Sequence, residues 1–223
     1  MKAMVLAAGR GERLPPLTER LPKPMVEAGG RPLIDWHLQR LAAAGLRDAV
    51  INVSHLAEQI VAHVGDGARY GMRVAWSRET EPLETAGGIA NARALLGEAP
   101  FLLVNSDIYC EVDFSPLKSL PLRGNLAHIV LVPNPPHHPE GDFTLESGMV
   151  GNGAAPRYTY AGVAVMSPSI VAGVRAGEKA PLGPLLRKAA GDGKLSGELF
   201  RGLWTDVGTA ERLAELRTLL AAR

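Results

Sequence analysis

The 223-residue chain has one cysteine, Cys110, few aromatic residues (5%) and almost no net charge, with 24 Lys and Arg against 23 Asp and Glu. A lone cysteine cannot form an internal disulfide, so a disulfide-stapled scaffold is excluded and a reducing, cytoplasmic compartment is expected. Cys110 itself has no nearby His–Asp arrangement and reads as a packing residue. Balanced charge argues against a general nucleic-acid binder, which carries a basic excess. No uncharged run approaches the ~20 residues that span a bilayer, so no membrane partner is expected. The opening "MKAMVLAAG" imitates a signal peptide, but its apolar part is short and Arg10, Glu12 and Arg13 follow at once. Trp36, Trp76 and Trp204 are too scattered for a stacking platform and read as core or rim packing.

What the chain does have is apolar material, 46% of its residues, in a regular order. "AMVLAA" (3–8) is a continuous apolar run that reads as a strand buried on both faces. The stretches 32–45, 55–65 and 87–97 carry apolar residues at helical spacing, and 48–53, 72–77 and 100–105 read as strands between them. Strands alternating with helices predict an α/β fold, a Rossmann-like three-layer sandwich around a mostly parallel, mixed sheet. The second half is less regular, with strands expected at 127–133 and 159–166 and a hairpin within 141–153 turning near Gly148. Short helices are expected at 168–177 and 181–193, and a last helix from Thr209, a plausible cap. No repeat or long linker interrupts residues 1–223, so one domain is expected.

Ligands of such sheets bind beyond the carboxyl ends of the strands. Two stretches fall on that edge. "LAAGRGERLPPLTERLPKP" (6–24) follows the first strand, and its kinks and prolines make it poor helix or strand material. Gly9 and Gly11 let backbone N–H groups approach an anion, and Arg10, Arg13 and Lys23 add positive charge around the same turn. Such a turn suits a polyphosphate, although a GxG alone is equally a plain structural turn. A P-loop does not fit, since no Gly-Lys-Ser/Thr triplet follows. A dinucleotide fingerprint and a nicotinamide-dependent dehydrogenase fit badly too, because position 14 is Leu and two prolines come next. The second stretch, "NSDIY", places Asp107 just past a strand, and "WTDVGT" places Asp206 just before the last helix. By themselves these acids read more commonly as turn formers or helix caps than as metal ligands.

Taken whole, the opening stretch resembles the signature of the sugar-1-phosphate nucleotidyltransferases, Gly-x-Gly-x-Arg-Met-Arg-Pro-Leu-Thr followed by Lys-Pro. Pro15 stands where the second Arg is usual. The resemblance implies that Leu6, Ala7, Ala8, Gly9, Gly11, Glu12, Arg13 and Lys23 hold the nucleoside triphosphate. It also makes Arg13 and Lys23 the catalytic cations on the transferring phosphates. It implies that Asp107 and Asp206 together bind Mg²⁺, a hard cation that takes carboxylate and phosphate oxygens. Ser106 replaces the Gly common before that first Asp, and its added hydroxyl is expected either to crowd the cleft or to sit beside the metal.

"EPLETAGGIANA" (81–92) resembles the family segment that closes over the base, which implies nucleotide contacts at Thr80, Thr85 and Gly87. The glycines there would equally suit an ordinary helix entrance. Together with "PLETAGGI", "PFLLVNSDIY", "PHHPEGDFTL" and "WTDVGTAERLAE", the likeness leans to uridylyltransferases acting on N-acetylmuramate 1-phosphate, as in cell-wall recycling. It implies sugar contacts at Asn105, Asp142 and Gly162, though Asp142 also reads as a turn acid after Gly141. The first half is thus expected to bind the nucleotide and residues from about 105 onward the sugar.

The expected partners are UTP and a sugar 1-phosphate. Glucose, mannose or N-acetylglucosamine 1-phosphate with UTP, GTP or dTTP is the alternative within the chemistry, and a non-catalytic nucleotide-sugar sensor the alternative outside it. His137 and His138 are adjacent in a Pro-rich loop and read as solvated rather than as metal ligands. The chain stops soon after its last helix, so a monomer or simple homodimer is expected.

Overall fold

The computed structural model describes residues 1–11, 17–154 and 156–222. Its strands are β1 (Ala3–Leu6), β2 (Glu27–Ala28), β3 (Arg31–Pro32), β4 (Asp48–Val53), β5 (Arg73–Arg78), β6 (Phe101–Asn105), β7 (Ile108–Cys110), β8 (Ala127–Val132), β9 (Phe143–Glu146), β10 (Met149–Gly151), β11 (Arg157–Met166), β12 (Leu195–Leu199) and β13 (Trp204–Asp206). The helices are α1 (Leu17–Arg20), α2 (Leu33–Ala43), α3 (Ala57–Val64), α4 (Glu84–Leu96), α5 (Phe114–Lys118), α6 (Leu182–Gly191) and α7 (Ala210–Ala221).

A nine-stranded sheet runs in the order β5-β4-β1-β6-β11-β8-β12-β10-β9. Its first four strands are parallel, and β11 then enters antiparallel to both β6 and β8. The expected parallel sheet is therefore the first half of the molecule, and the second half is mixed.

Period-two alternation divides the core. On one face, Ala3 and Val5 of β1 pack with Ile34, Leu38 and Leu41 of α2 and with Ile60 of α3. On the other, Met4 packs with Ile89 of α4 and Leu186 of α6. Strands with both faces buried read as unbroken apolar runs, which is why β4 and β6 are so plain in the sequence.

The expected hairpin is β9–β10, with Ser147 and Gly148 both at positive φ (50° and 79°), the pairing that a tight primed turn requires. The stretch 168–177 forms only one 3₁₀ turn, Pro168–Val171. A smaller apolar cluster joins Val26, Ala28 and Leu33 to Tyr109, Val207, Leu213 and Leu216. This cluster seats the β2–β3 hairpin and α7 against the short β7–β13 ladder. Thr209 caps α7 by accepting from the Arg212 N–H at 3.4 Å. No described helix is long and apolar enough to cross a membrane.

Candidate active site

The parallel register brings the carboxyl ends of β1, β4, β5 and β6 to one edge. There they border a cleft of about 690 Å³ whose lining includes Leu6, Ala8, Gly9, Gly11, Lys23, Thr85, Asn105 and Asp107. Eight of the residues expected from the sequence thus share one concavity. Glu12, Arg13 and Pro15 lie outside the described residues.

Two deliberate contacts shape the phosphate side. The Thr18 hydroxyl donates to Gly11 O at 2.8 Å, and Gly11 has φ +69°. A Cβ on Gly11 would come 2.7 Å from Thr18 Cγ2, so the turn needs glycine twice over. Lys23 is 7% exposed, and its Nζ donates to Asp107 Oδ2 at 2.7 Å. The first turn's cation and the carboxylate after β6 are therefore already in contact.

Asp206 arrives by a different route. It stands opposite Ile108 on the β7–β13 ladder, and the next residue's N–H (Val207) donates to Asp107 O at 2.8 Å. The three-residue ladder thus brings together the backbones of two acids from distant parts of the sequence, with Asp107 in the cleft lining and Asp206 outside it. Asp206 Oδ2 is 3.2 Å from Arg212, and His137 Nε2 is 3.0 Å from Asp206 Oδ1. Neither contact has hydrogen-bond alignment, and Oδ1 is buried without a hydrogen bond from any described residue.

Among the described residues no three His, Cys, Asp or Glu side chains gather to hold a metal alone. Two carboxylates, one with an orphaned buried oxygen, fit Mg²⁺, which binds proteins through one or two carboxylates and fills its shell with phosphate oxygens and water.

A buried polar network lies at the floor of the cleft. Asn52 accepts from the Ala7 N–H at 2.8 Å and donates to Glu79 at 2.7 Å, and Glu79 accepts from the Leu83 N–H at 3.0 Å. Burial raises the Glu79 pKa, and the hydrogen bonds from Asn52 and Leu83 oppose that shift. Gly88 makes room for the network, since a Cβ there would sit 2.7 Å from Asn52 Nδ2. Neither Asn52 nor Glu79 is visible as a site residue in the sequence, because Asn52 lies within an ordinary strand and Glu79 just after one. Lys179 also lines the cleft, brought there from just before α6, with Nζ 3.7 Å from Glu84.

Several expectations need correction. Ala7 is buried with its N–H given to Asn52, and Leu6 O accepts from both Ser106 N (3.1 Å) and Ser106 Oγ (2.5 Å). Those backbone groups are committed within the protein. The Ser106 hydroxyl accordingly ties β1 to β6 instead of standing beside a metal. Thr80 is exposed and outside the cleft lining. Gly87 faces away from the cleft: its N–H donates to Ala180 O at 3.1 Å, and a Cβ would lie 2.3 Å from Glu178 O. Its lack of a side chain serves close packing of chain against helix.

Of the residues expected at the sugar, Asp142 and Gly162 are outside the cleft lining; the Asp142 carboxylate accepts from the Tyr160 N–H at 2.8 Å and meets His138 Nε2 at 3.1 Å, so both oxygens are engaged. Gly162 sits at the irregularity in β11 with φ +76°, and a Cβ there would come 2.9 Å from Asn105 Nδ2. It makes room for Asn105. His137 and His138 are not simply solvated, since each faces a carboxylate. Cys110 is buried, and burial pushes its thiol up to about 11, as suits a packing residue.

The family model for nucleotidyl transferases matches residues 2–141. The chain belongs to the nucleotidyl transferase family. It is 47% identical over 234 residues to an N-acetylmuramate alpha-1-phosphate uridylyltransferase of Neisseria meningitidis, covering 100% of this chain and 99% of that protein. A second protein of the same name, from Caulobacter vibrioides, is 38% identical over 96% of each chain. A mannose-1-phosphate guanyltransferase of Aspergillus fumigatus is 34% identical, covering 93% of this chain and 61% of its own length. In solved structures the fold matches a Bacillus anthracis protein provisionally assigned as a glucose-1-phosphate thymidylyltransferase, with TM-score 0.85, 19% identity and coverage of 99% and 95%. These curated relatives are named for nucleotidyl transfer to a sugar 1-phosphate, and this chain is a nucleotidyl transferase. Its cleft at the parallel strand ends is where the fold binds ligands.

Proposed function

We propose that this enzyme transfers a uridylyl group from UTP to N-acetylmuramate 1-phosphate, releasing pyrophosphate, with Mg²⁺ required. The observation that carries the substrate choice is the 47% identity, over essentially the whole of both chains, with a relative of that name.

An oxygen of the sugar phosphate attacks the α-phosphorus of UTP. The new P–O bond forms as the α–β bridging bond breaks, and the electron pair leaves on pyrophosphate. No covalent enzyme intermediate is needed, so the protein's work is to position two anions and offset their charge. Lys23 reaches the phosphates from the first turn. Arg13 does so from the same segment, a role assigned by resemblance. Asp107 and Asp206 would hold the Mg²⁺, which when bound neutralises phosphate charge. Leu6, Ala8, Gly9 and Gly11 with Thr85 border the nucleotide, and residues from about Asn105 onward, as one domain with the first half, receive the sugar.

The test is pyrophosphate release from UTP, GTP and dTTP paired with N-acetylmuramate, N-acetylglucosamine, glucose and mannose 1-phosphates, with and without Mg²⁺. Fastest Mg²⁺-dependent turnover with UTP and N-acetylmuramate 1-phosphate is expected. Preference for another pair would replace the substrates while leaving the chemistry. Binding without turnover on any pair would favour a nucleotide-sugar sensor.

A further inference from the structure

N-acetylmuramate differs from N-acetylglucosamine by one group, a lactyl ether that ends in a carboxylate. Resting on the proposed sugar, we infer that His137 is the residue that reads this carboxylate. Three observations carry the assignment.

The first is the state of the donors around the sugar side. Trp204 Nε1 is spent on Ala161 O at 2.8 Å, and His138 is spent on Asp142 at 3.1 Å. Arg212 lies 3.2 Å from Asp206 and is only 12% exposed, its Nε and Nη2 buried away from an incoming ligand and without a hydrogen bond to any described residue. His137 alone of these four is both exposed and without an aligned bond: its side chain is 38% exposed, and its 3.0 Å approach to Asp206 lacks hydrogen-bond alignment. It is a donor without a committed acceptor.

The second observation is the loop that carries it. Residues 133–139 include four prolines, which restrict the chain. Asn134 fastens the loop by donating to Pro139 O at 2.9 Å and to Arg157 O at 3.1 Å, while accepting from the Thr159 hydroxyl at 3.0 Å. Gly141, at φ +62°, leaves space for that side chain, since a Cβ would stand 2.6 Å from Asn134 Oδ1. A loop this constrained holds its imidazole at a fixed place, which is the preorganisation that selective binding needs.

The third is position. His137 lies beside Asp206, one of the two acids of the candidate metal pair, and so borders the place where the sugar phosphate must come. An N–H directed at a carboxylate makes a charge-assisted hydrogen bond, stronger than a neutral one. Discarding it leaves the carboxylate without that partner, whereas a sugar lacking the lactyl group has nothing to lose.

The experiment compares His137→Ala and His137→Gln with the unmodified enzyme. The readouts are kcat/KM for N-acetylmuramate and N-acetylglucosamine 1-phosphates and, in metal-free buffer, calorimetric affinities for the two corresponding UDP-sugars. Removing the imidazole is expected to lower the muramate-to-glucosamine ratio about tenfold in both measurements, as for loss of a hydrogen bond to a charged group. His137→Gln, which keeps an N–H donor, is expected to restore part of it. An equal fall for both sugars, or an unchanged ratio, overturns the assignment. No turnover of N-acetylmuramate 1-phosphate by the unmodified enzyme overturns the proposed substrate instead. In that event a His137-dependent preference for UDP-N-acetylmuramate in the calorimetry still supports the carboxylate site, and equal binding of the two UDP-sugars removes it.

Discussion

Lys23 Nζ lies 2.7 Å from Asp107 Oδ2, joining the turn after the first strand to the turn after β6. The lysine is buried, whereas the Asp107 side chain is 36% exposed. That asymmetry lets the carboxylate turn to another cation while the ammonium stays at the cleft wall. Lys23→Met is therefore expected to reduce kcat/KM by about 10²-fold or more, the scale of losing a group that stabilises transition-state charge. Thermal unfolding is expected to move little, since the freed carboxylate stays in contact with water. Steady-state kinetics and a melting curve on one preparation check both halves.

Gly162→Ala should harm both the fold and the site. A Cβ at φ +76° is strained, and this one would come within 2.9 Å of Asn105 Nδ2. A loss of about 1–3 kcal/mol in urea unfolding is expected, with a rise in KM for the sugar phosphate as Asn105 is displaced.

Asn52→Ala should uncouple the cleft floor. It would leave the Ala7 N–H and the Glu79 carboxylate each without a present partner. Buried groups left unpaired cost about 1–3 kcal/mol each. Chemical denaturation is expected to show destabilisation in that range, together with a raised KM for the triphosphate.

Acid should act through His37. This imidazole is 1% exposed, with Nε2 2.8 Å from Ile108 O, and burial pushes its pKa down from 6.5 to about 4. Between those values the unfolded chain binds the proton and the folded protein does not. The contribution is thus intact above about pH 6.5 and is lost as pH falls toward 4, up to roughly 3 kcal/mol. His37→Gln removes that titration, so its stability should fall less between pH 7 and pH 5 than that of the unmodified protein. Equal losses in urea midpoint would contradict the assignment.

How much was legible follows residue by residue. Asp48–Val53 is a strand in both sequence and structure because a parallel strand covered on both faces is mainly apolar, here Ala49, Val50, Ile51 and Val53. Asp107 could be placed at the strand edge for the same reason. The approach of the Asp206 backbone to that of Asp107 could not, because it depends on β7 and β13, three residues each, which are too short for any period to show. Gly87 and Gly88 look alike in the sequence, yet one packs under Glu178 O and the other clears Asn52. Only the tertiary contacts separate them. Asp142 was legible as a turn acid after Gly141, but its engagement by the Tyr160 N–H was not, being a contact across the fold. Lys179 was missed for a similar reason: hydrogen bonds between Leu83, Ala86 and Ala180 carry its segment to the start of α4.

The most direct measurement is a Mg²⁺ titration of pyrophosphate release, comparing the unmodified enzyme with Asp107→Asn and Asp206→Asn. The predicted result is metal-dependent turnover that falls at least about 100-fold in each variant, with a raised Mg²⁺ requirement and an unchanged far-ultraviolet circular dichroism spectrum. Full turnover in chelator, or either folded variant keeping the activity and metal dependence of the parent, would contradict a shared metal site at these two carboxylates.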